Sequence, residues 1–162
     1  MSLPQKIWKY VPDAMAIFMA VIFLDSLRYK FTDHPKTQEI FGRLDGWAGS
    51  LGLPGLFDHT GLFSQYVIGN IELLASALLI AGLHPRFKHL QAGGALAGLL
   101  VMTGAVSFHL FTPLGIDPNG DGAGLFIAAC VNLVFALVLL AGFRRAALIE
   151  LTRRVATVFR PS

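Results

Sequence analysis

Apolar and polar positions divide the chain into four long hydrophobic stretches separated by loops of very different character. The stretches run from about Val11 to Leu27, Leu62 to Leu83, Leu90 to Phe111 and Ala123 to Phe143. A helix needs about 20 mostly apolar residues to cross a bilayer, and each stretch comes close to that length. The first is the shortest and is interrupted by Asp13 and Asp25. Lys6 and Lys9 ahead of an apolar core also suit a secretion signal. Asp25-Ser26-Leu27-Arg28 stands where a small-residue cleavage site belongs, which favours a retained anchor. The pattern predicts an all-α fold, an integral membrane four-helix bundle forming one domain over residues 1–162.

The loops set the expected orientation. Lys6 and Lys9, then Arg86 and Lys88, then Arg144, Arg145, Arg153, Arg154 and Arg160 fall on one side of a four-span arrangement. The other side mixes Arg28, Lys30, Lys36 and Arg43 with Asp33, Glu39, Asp45 and Asp58, and its second loop holds no basic residue. An excess of Lys and Arg marks the cytoplasmic side, so both termini are expected there.

Composition agrees with the bilayer reading. Only 14% of residues are charged, against about 25% for a soluble domain, and the mean hydropathy is +0.62. The formal net charge of +3, taken alone, suits a nucleic-acid partner. The basic residues instead sit at the ends of apolar runs, so the charge reads as topology and no nucleic-acid partner is expected. Cys130 is the single cysteine, which excludes an intrachain disulfide and a cysteine-pair metal site.

Three segments add detail. In the first loop, Tyr29 to Gly61, Gly42, Gly46, Gly49, Gly52 and Gly55 recur among Phe41, Leu44, Trp47, Leu51, Leu53 and Leu56. This fits an interfacial or partly re-entrant helix with Trp47 at headgroup level, or an ordinary glycine-rich loop. In the third stretch Gly94 and Gly98 form a small-x-x-x-small pair that lets another helix approach, within the bundle rather than in a dimer. The tail beyond Arg144 puts Leu148, Leu151 and Val155 on one face and arginines on the rest, an amphipathic helix for the inner leaflet.

Ionisable groups inside a membrane are costly and mark function by default. Glu72 lies near the middle of the second stretch, where burial disfavours a charge unless a cation stands close. The competing role is a structural hydrogen bond between helices. Asn70 lies two residues away, toward the opposite flank, and Ser76 one turn on. Asp25 and Arg28, three apart, share a helix face and form a structural pair, with Arg28 as an alternative partner for Glu72 or an anionic ligand. His109 stands near the outer end of the third stretch, a hydrogen-bonding group before it is a ligand. Asp25, Arg28, His109, Asp117 and Asp121 all fall on the outer side with Glu72 beneath, which suggests one vestibule. Asn70, Asp25, Arg28, Glu72 and His109 are therefore the candidate ligand-binding residues. No catalytic set emerges from the residue types.

Between His109 and Phe126 runs the most turn-coded segment of the second half. Asp117-x-Asn119-x-Asp121-Gly122 matches the opening of an EF-hand calcium loop, but Ala128 stands where its bidentate Glu belongs. Asx turns capping the fourth helix account for the same residues and are preferred, with a Ca²⁺ site as the alternative.

Leu27-Arg28-Tyr29-Lys30-Phe31, Ile68-Gly69-Asn70-Ile71-Glu72-Leu73-Leu74, and Thr103-Gly104-Ala105 through His109-Leu110-Phe111-Thr112-Pro113-Leu114-Gly115 together carry a resemblance. With the loop to Phe126 they resemble the DoxX-like family of small four-span bacterial membrane proteins, over about residues 10–143. The resemblance implies a bundle in the bacterial inner membrane, with Arg28, Lys30, Glu72 and His109 matching recurrent polar positions. It also implies an association with quinone-linked sulfur oxidation or with thiol and oxidative stress. Cys130 without a partner excludes a dithiol mechanism within one chain.

Two functions follow as expectations. The first is a redox-associated component binding a quinone or similar amphiphile in the bundle, with a soluble or membrane redox partner and with self-association as a further option. The second is a non-enzymatic membrane protein, either a small-solute carrier or a scaffold docking a redox or stress enzyme. A carrier would carry broken helices, and the second stretch holds only Gly69 as an interruption.

Overall fold

The computed structural model describes residues 8–120 and 122–158, and those residues form six α-helices and no strand. They are α1 (Val11–Lys30), α2 (Pro35–Ser50), α3 (Gln65–Ala81), α4 (Lys88–Phe111), α5 (Gly124–Val138) and α6 (Arg145–Val158). A 3₁₀ turn (Pro85–Phe87) precedes α4, and a π-helical turn (Leu139–Phe143) extends α5.

The four apolar stretches fall on α1, α3, α4 and α5, but not equally. Pro85–Phe111 and Gly124–Phe143 are long and apolar enough to cross a membrane, whereas Gln65–Ala81 is apolar but shorter. α1 has 20 residues yet carries Asp13, Asp25, Arg28 and Lys30. Length and composition thus single out two helices among the described residues rather than four.

Local chemistry fixes the helix starts. The Ser64 hydroxyl accepts from the Val67 N–H at 3.2 Å and caps α3. His34 Nδ1 accepts from the Lys36 N–H and caps α2, with Pro35 next to it where no intrahelical donor is lost. Of the Asx residues expected to cap α5, Asp121 lies outside the described residues. The cap residue is Ala123 in the left-handed region (φ 62°) without a side-chain bond, and Asp117 Oδ2 accepts from the Gly122 N–H at 3.2 Å.

Packing is closest where glycines permit it. A Cβ on Gly94 would stand 2.8 Å from the Ala75 carbonyl oxygen and from the Leu79 nitrogen, so α3 and α4 meet backbone to backbone. A Cβ on Gly98 would reach Met19 Cε at 3.0 Å and the Phe23 ring at 3.2 Å. The pair therefore serves two different helices, α3 and α1. Met19, Phe23, Ala75, Leu79, Ala95, Ala136 and Leu139 form the main core. Phe18 and Phe135 close the α1–α5 seam edge to face at 5.2 Å.

The two ends are secured differently. At the α6 end, Asp13 Oδ1 accepts from Lys88 Nζ (2.7 Å), Gln91 Nε2 (3.0 Å) and Arg144 Nη2 (3.3 Å). These bonds tie α1, α4 and the end of α5 together. At the α2 end, Leu44, Ala48, Phe57 and Leu114 make a second small core. Phe57 and Trp47 both meet Phe108 edge-on, at 5.2 and 6.4 Å. The glycine-rich first loop thus contains a full helix, and Trp47 faces protein at that core. Leu148 packs on the main core, and Leu151 comes within reach of Gly93 on α4, so the tail helix lies back against the bundle. The side chain of Val155 lies outside the described residues.

Candidate functional site

A cavity of about 860 Å³ occupies the α2 half of the bundle. Each bundle helix contributes to its wall: Ile22 and Phe23 from α1, Ile68 and Ile71 from α3, Val101 and Ala105 from α4, and Leu125 and Ala128 from α5. α2 lies over it through Thr37, Ile40, Phe41 and Leu44, spaced so that one helix face turns inward. Phe57, Phe63 and Phe108 complete an apolar lining in which few polar groups stand.

Three of the polar groups, on Ser26, Lys30 and Glu72, meet one another. Glu72, 3% exposed, receives Lys30 Nζ on both carboxylate oxygens, at 3.0 and 2.9 Å. Ser26, one turn before Lys30, donates to Glu72 Oε2 at 3.1 Å and accepts from Lys30. Glu72 therefore has the nearby cation that its burial demands, and the cation is Lys30. Ser76 bonds back to the Glu72 carbonyl oxygen at 2.8 Å.

His109, 4% exposed, forms the second polar element. Its Nδ1 lies 2.6 Å from the Gly115 carbonyl oxygen. A carbonyl only accepts, so Nδ1 carries a proton, and in the neutral form of the ring Nε2 is the acceptor. The Phe126 ring packs edge-on at 5.5 Å and fixes the plane of the imidazole. The loop after α4 thus orients His109 and lends Leu114 and Asn119 to the cavity wall.

A clamp outside the cavity positions Lys30. The Gln65 amide donates to the Lys30 carbonyl oxygen at 2.7 Å and to Asp33 Oδ1 at 2.5 Å. Asp33 also accepts from Tyr66 Oη at 2.6 Å and from Gln38 at 3.3 Å. The Tyr66 hydrogen bond leads the causes that hold the Asp33 carboxyl below its ordinary value, followed by Gln65 and the nearby His59. One carboxylate so joins the end of α1 to the starts of α2 and α3.

The sequence-derived residues separate into two groups. Asp25, Glu72 and His109 line the one cavity. Arg28 does not: it pairs with Asp25 at 2.9 Å on the surface, the two side chains 66% and 54% exposed. Asn70 is exposed on the far flank of α3, bonded to the Tyr66 carbonyl oxygen. Asp117 belongs to the loop, and Asp121 lies outside the described residues. Among the described residues no three His, Cys, Asp or Glu side chains gather as metal ligands.

Residue types alone single out neither Lys30, which only the family resemblance named, nor Thr37 of the cavity wall, nor Asn132 elsewhere in α5. Lys30 stands in the helix-ending cluster of charges and carries no marker of its direction. Thr37 lines the cavity from a helix whose role was open. Asn132, fully buried in α5, finds no hydrogen-bond partner for its Nδ2 or its Oδ1 among the described residues. A lone carboxamide within an apolar run was its signal.

No family model, curated protein or solved structure matches this chain.

Proposed function

We propose that the protein is a multi-pass component of the bacterial inner membrane, DoxX-like in pattern, which binds a quinone or similar amphiphile inside its helix bundle. The observation that carries this reading is the large, mainly apolar cavity lined by the Ser26–Lys30–Glu72 cluster and His109, with Asp25, Tyr29, Lys36, Thr37 and Asn119 as the other polar residues of its wall. Bundle interiors are natural ligand sites, and an apolar pocket with few convergent polar groups suits an amphiphile.

The outside of the molecule supports the membrane. Ile17, Val21 and Leu24 on α1, Leu73, Leu74 and Ile80 on α3, Leu100 on α4, and Ile127 and Val134 on α5 are all exposed. A soluble monomer rarely leaves so continuous an apolar belt in water. In lipid the same belt is solvated, and four helices cross with both termini on the cytoplasmic, arginine-rich side.

The ligand head group lies between the two polar elements. His109 Nε2 accepts from a hydroxyl, and the Lys30–Glu72–Ser26 cluster offers donors and acceptors to the oxygen opposite. Ring and tail rest on the apolar walls. Solvent extraction of the purified protein followed by mass spectrometry tests the reading. A stoichiometric amphiphile with an oxygenated ring or head is expected, and Ala105→Trp, which fills the cavity, is expected to lose it. Equal recovery from both proteins would argue against the cavity as the site.

A further inference from the structure

At the opposite end of the bundle from this cavity, α4, α5 and α6 enclose an open groove of about 380 Å³. Leu96 and Leu99 of α4, Leu137 and Leu140 of the α5 segment, and Leu148 of α6 line it, with Arg145 at its edge. We propose that this groove holds one acyl chain of an anionic membrane lipid, whose phosphate is bound by Arg145. The proposal rests on the membrane reading above and is independent of what fills the cavity.

Three observations converge on it. First, the adjacent arginines behave differently. Arg144 turns inward to Asp13 and Gln91, while Arg145 is exposed and makes no ion pair with any described residue. A guanidinium presents a planar fork of donors that matches phosphate oxygens, and here that fork stays available beside an apolar slot. Second, Arg145 is the first residue of α6. Helix geometry leaves the first backbone N–H groups without intrahelical partners and favours an anion there. Third, the groove forms where α5 widens into the π-turn, whose closing bond runs from the Arg144 N–H to the Leu139 carbonyl oxygen at 2.7 Å. Such turns often mark functional positions. Leu140 of this turn lines the groove, and of the two arginines that follow Arg144 bonds Gln91 and Asp13 while Arg145 stands at the groove.

The charge around the groove selects an anionic lipid over a zwitterionic one. Arg86, Lys88 and Arg153 lie at the same end, and Asp13 is already engaged by Lys88 and Arg144. Each basic residue near an anionic leaflet adds attraction that a neutral headgroup does not receive.

Native mass spectrometry of the full chain in mixed micelles of phosphatidylglycerol and phosphatidylcholine tests the site. The wild type is expected to retain one phosphatidylglycerol per chain in preference to phosphatidylcholine. Arg145→Gln is expected to lower that retention roughly tenfold, the scale of one strong charge-assisted contact, with Arg145→Lys in between. Ala141→Trp, which fills the groove and keeps the arginine, is expected to lose it as well. Equal retention of the two lipids by the wild type, or unchanged retention in Arg145→Gln, would overturn the site. Resistance of both proteins to alkaline extraction from membranes is read in parallel. Intact resistance without lipid preference removes this proposal alone, whereas extraction into buffer removes the membrane reading and this site with it.

Discussion

Lys30 Nζ meets both carboxylate oxygens of Glu72, at 3.0 and 2.9 Å, across 42 residues of chain. The pair joins the last residue of α1 to the middle of α3, with the Lys30 side chain 14% and the Glu72 side chain 3% exposed. Removing one partner of a buried pair leaves an uncompensated charge and costs about 3–5 kcal/mol. Lys30→Met should therefore destabilise by that order, and Lys30→Met combined with Glu72→Met should recover most of it. Thermal unfolding in detergent of the single and double variants checks this, and a double variant no better than the single would count against the pair.

Asn132 should behave in the opposite way. Both polar atoms of its carboxamide are buried without a partner among the described residues, a condition that costs about 1–3 kcal/mol per unsatisfied group. Asn132→Leu, close in volume, is expected to raise the unfolding midpoint. A fall would mean that the amide is engaged by a partner within the bundle.

Gly94 marks the closest helix approach. A Cβ there would stand 2.8 Å from backbone atoms of α3, which cannot yield as a flexible side chain would. Gly94→Ala should cost about 1–3 kcal/mol by overpacking. Gly42→Ala on α2, where a Cβ meets nothing within 4 Å, should be neutral or stabilising. Equal effects of the two substitutions in the same unfolding assay would contradict this packing.

Asp33 gives the α2 end a pH dependence. Its folded carboxyl titrates below the ordinary value of 3.8, chiefly through the Tyr66 hydrogen bond. A depressed acid stabilises the fold fully above the unfolded value, and that contribution is lost as pH falls through the lowered folded value. Stability should fall below about pH 4 in the wild type, and less steeply in Asp33→Asn. Unfolding midpoints measured from pH 6 to pH 3 check the difference in slope.

Much of the bundle was legible because helix period and apolar length are written in local sequence. The four stretches fall on α1, α3, α4 and α5, and the Gly94/Gly98 spacing pointed to close packing. The site was less legible because helix rotation and side-chain reach are tertiary properties. Arg28 and Lys30 are two residues apart, which puts them on different faces of α1, and only the folded bundle selects Lys30 for Glu72. The glycine pattern of the first loop left helix and loop open, and the cover that α2 lays over the cavity depends on its docking against Phe57, Leu114 and Phe108. His109 was conspicuous as a histidine at the end of an apolar helix, but its proton position depends on Gly115, which the chain returns to it after Pro113.

The central claim is that the cavity beside Glu72 and His109 binds an oxygenated amphiphile. Its most direct test is a titration of the detergent-solubilised protein with a short-chain quinone, by tryptophan fluorescence quenching, since Trp47 packs on Phe108 at the cavity wall. Saturable binding of one quinone per chain is expected in the wild type, weakened about tenfold in His109→Ala and abolished in Ala105→Trp. Identical titration curves for all three proteins would contradict the account.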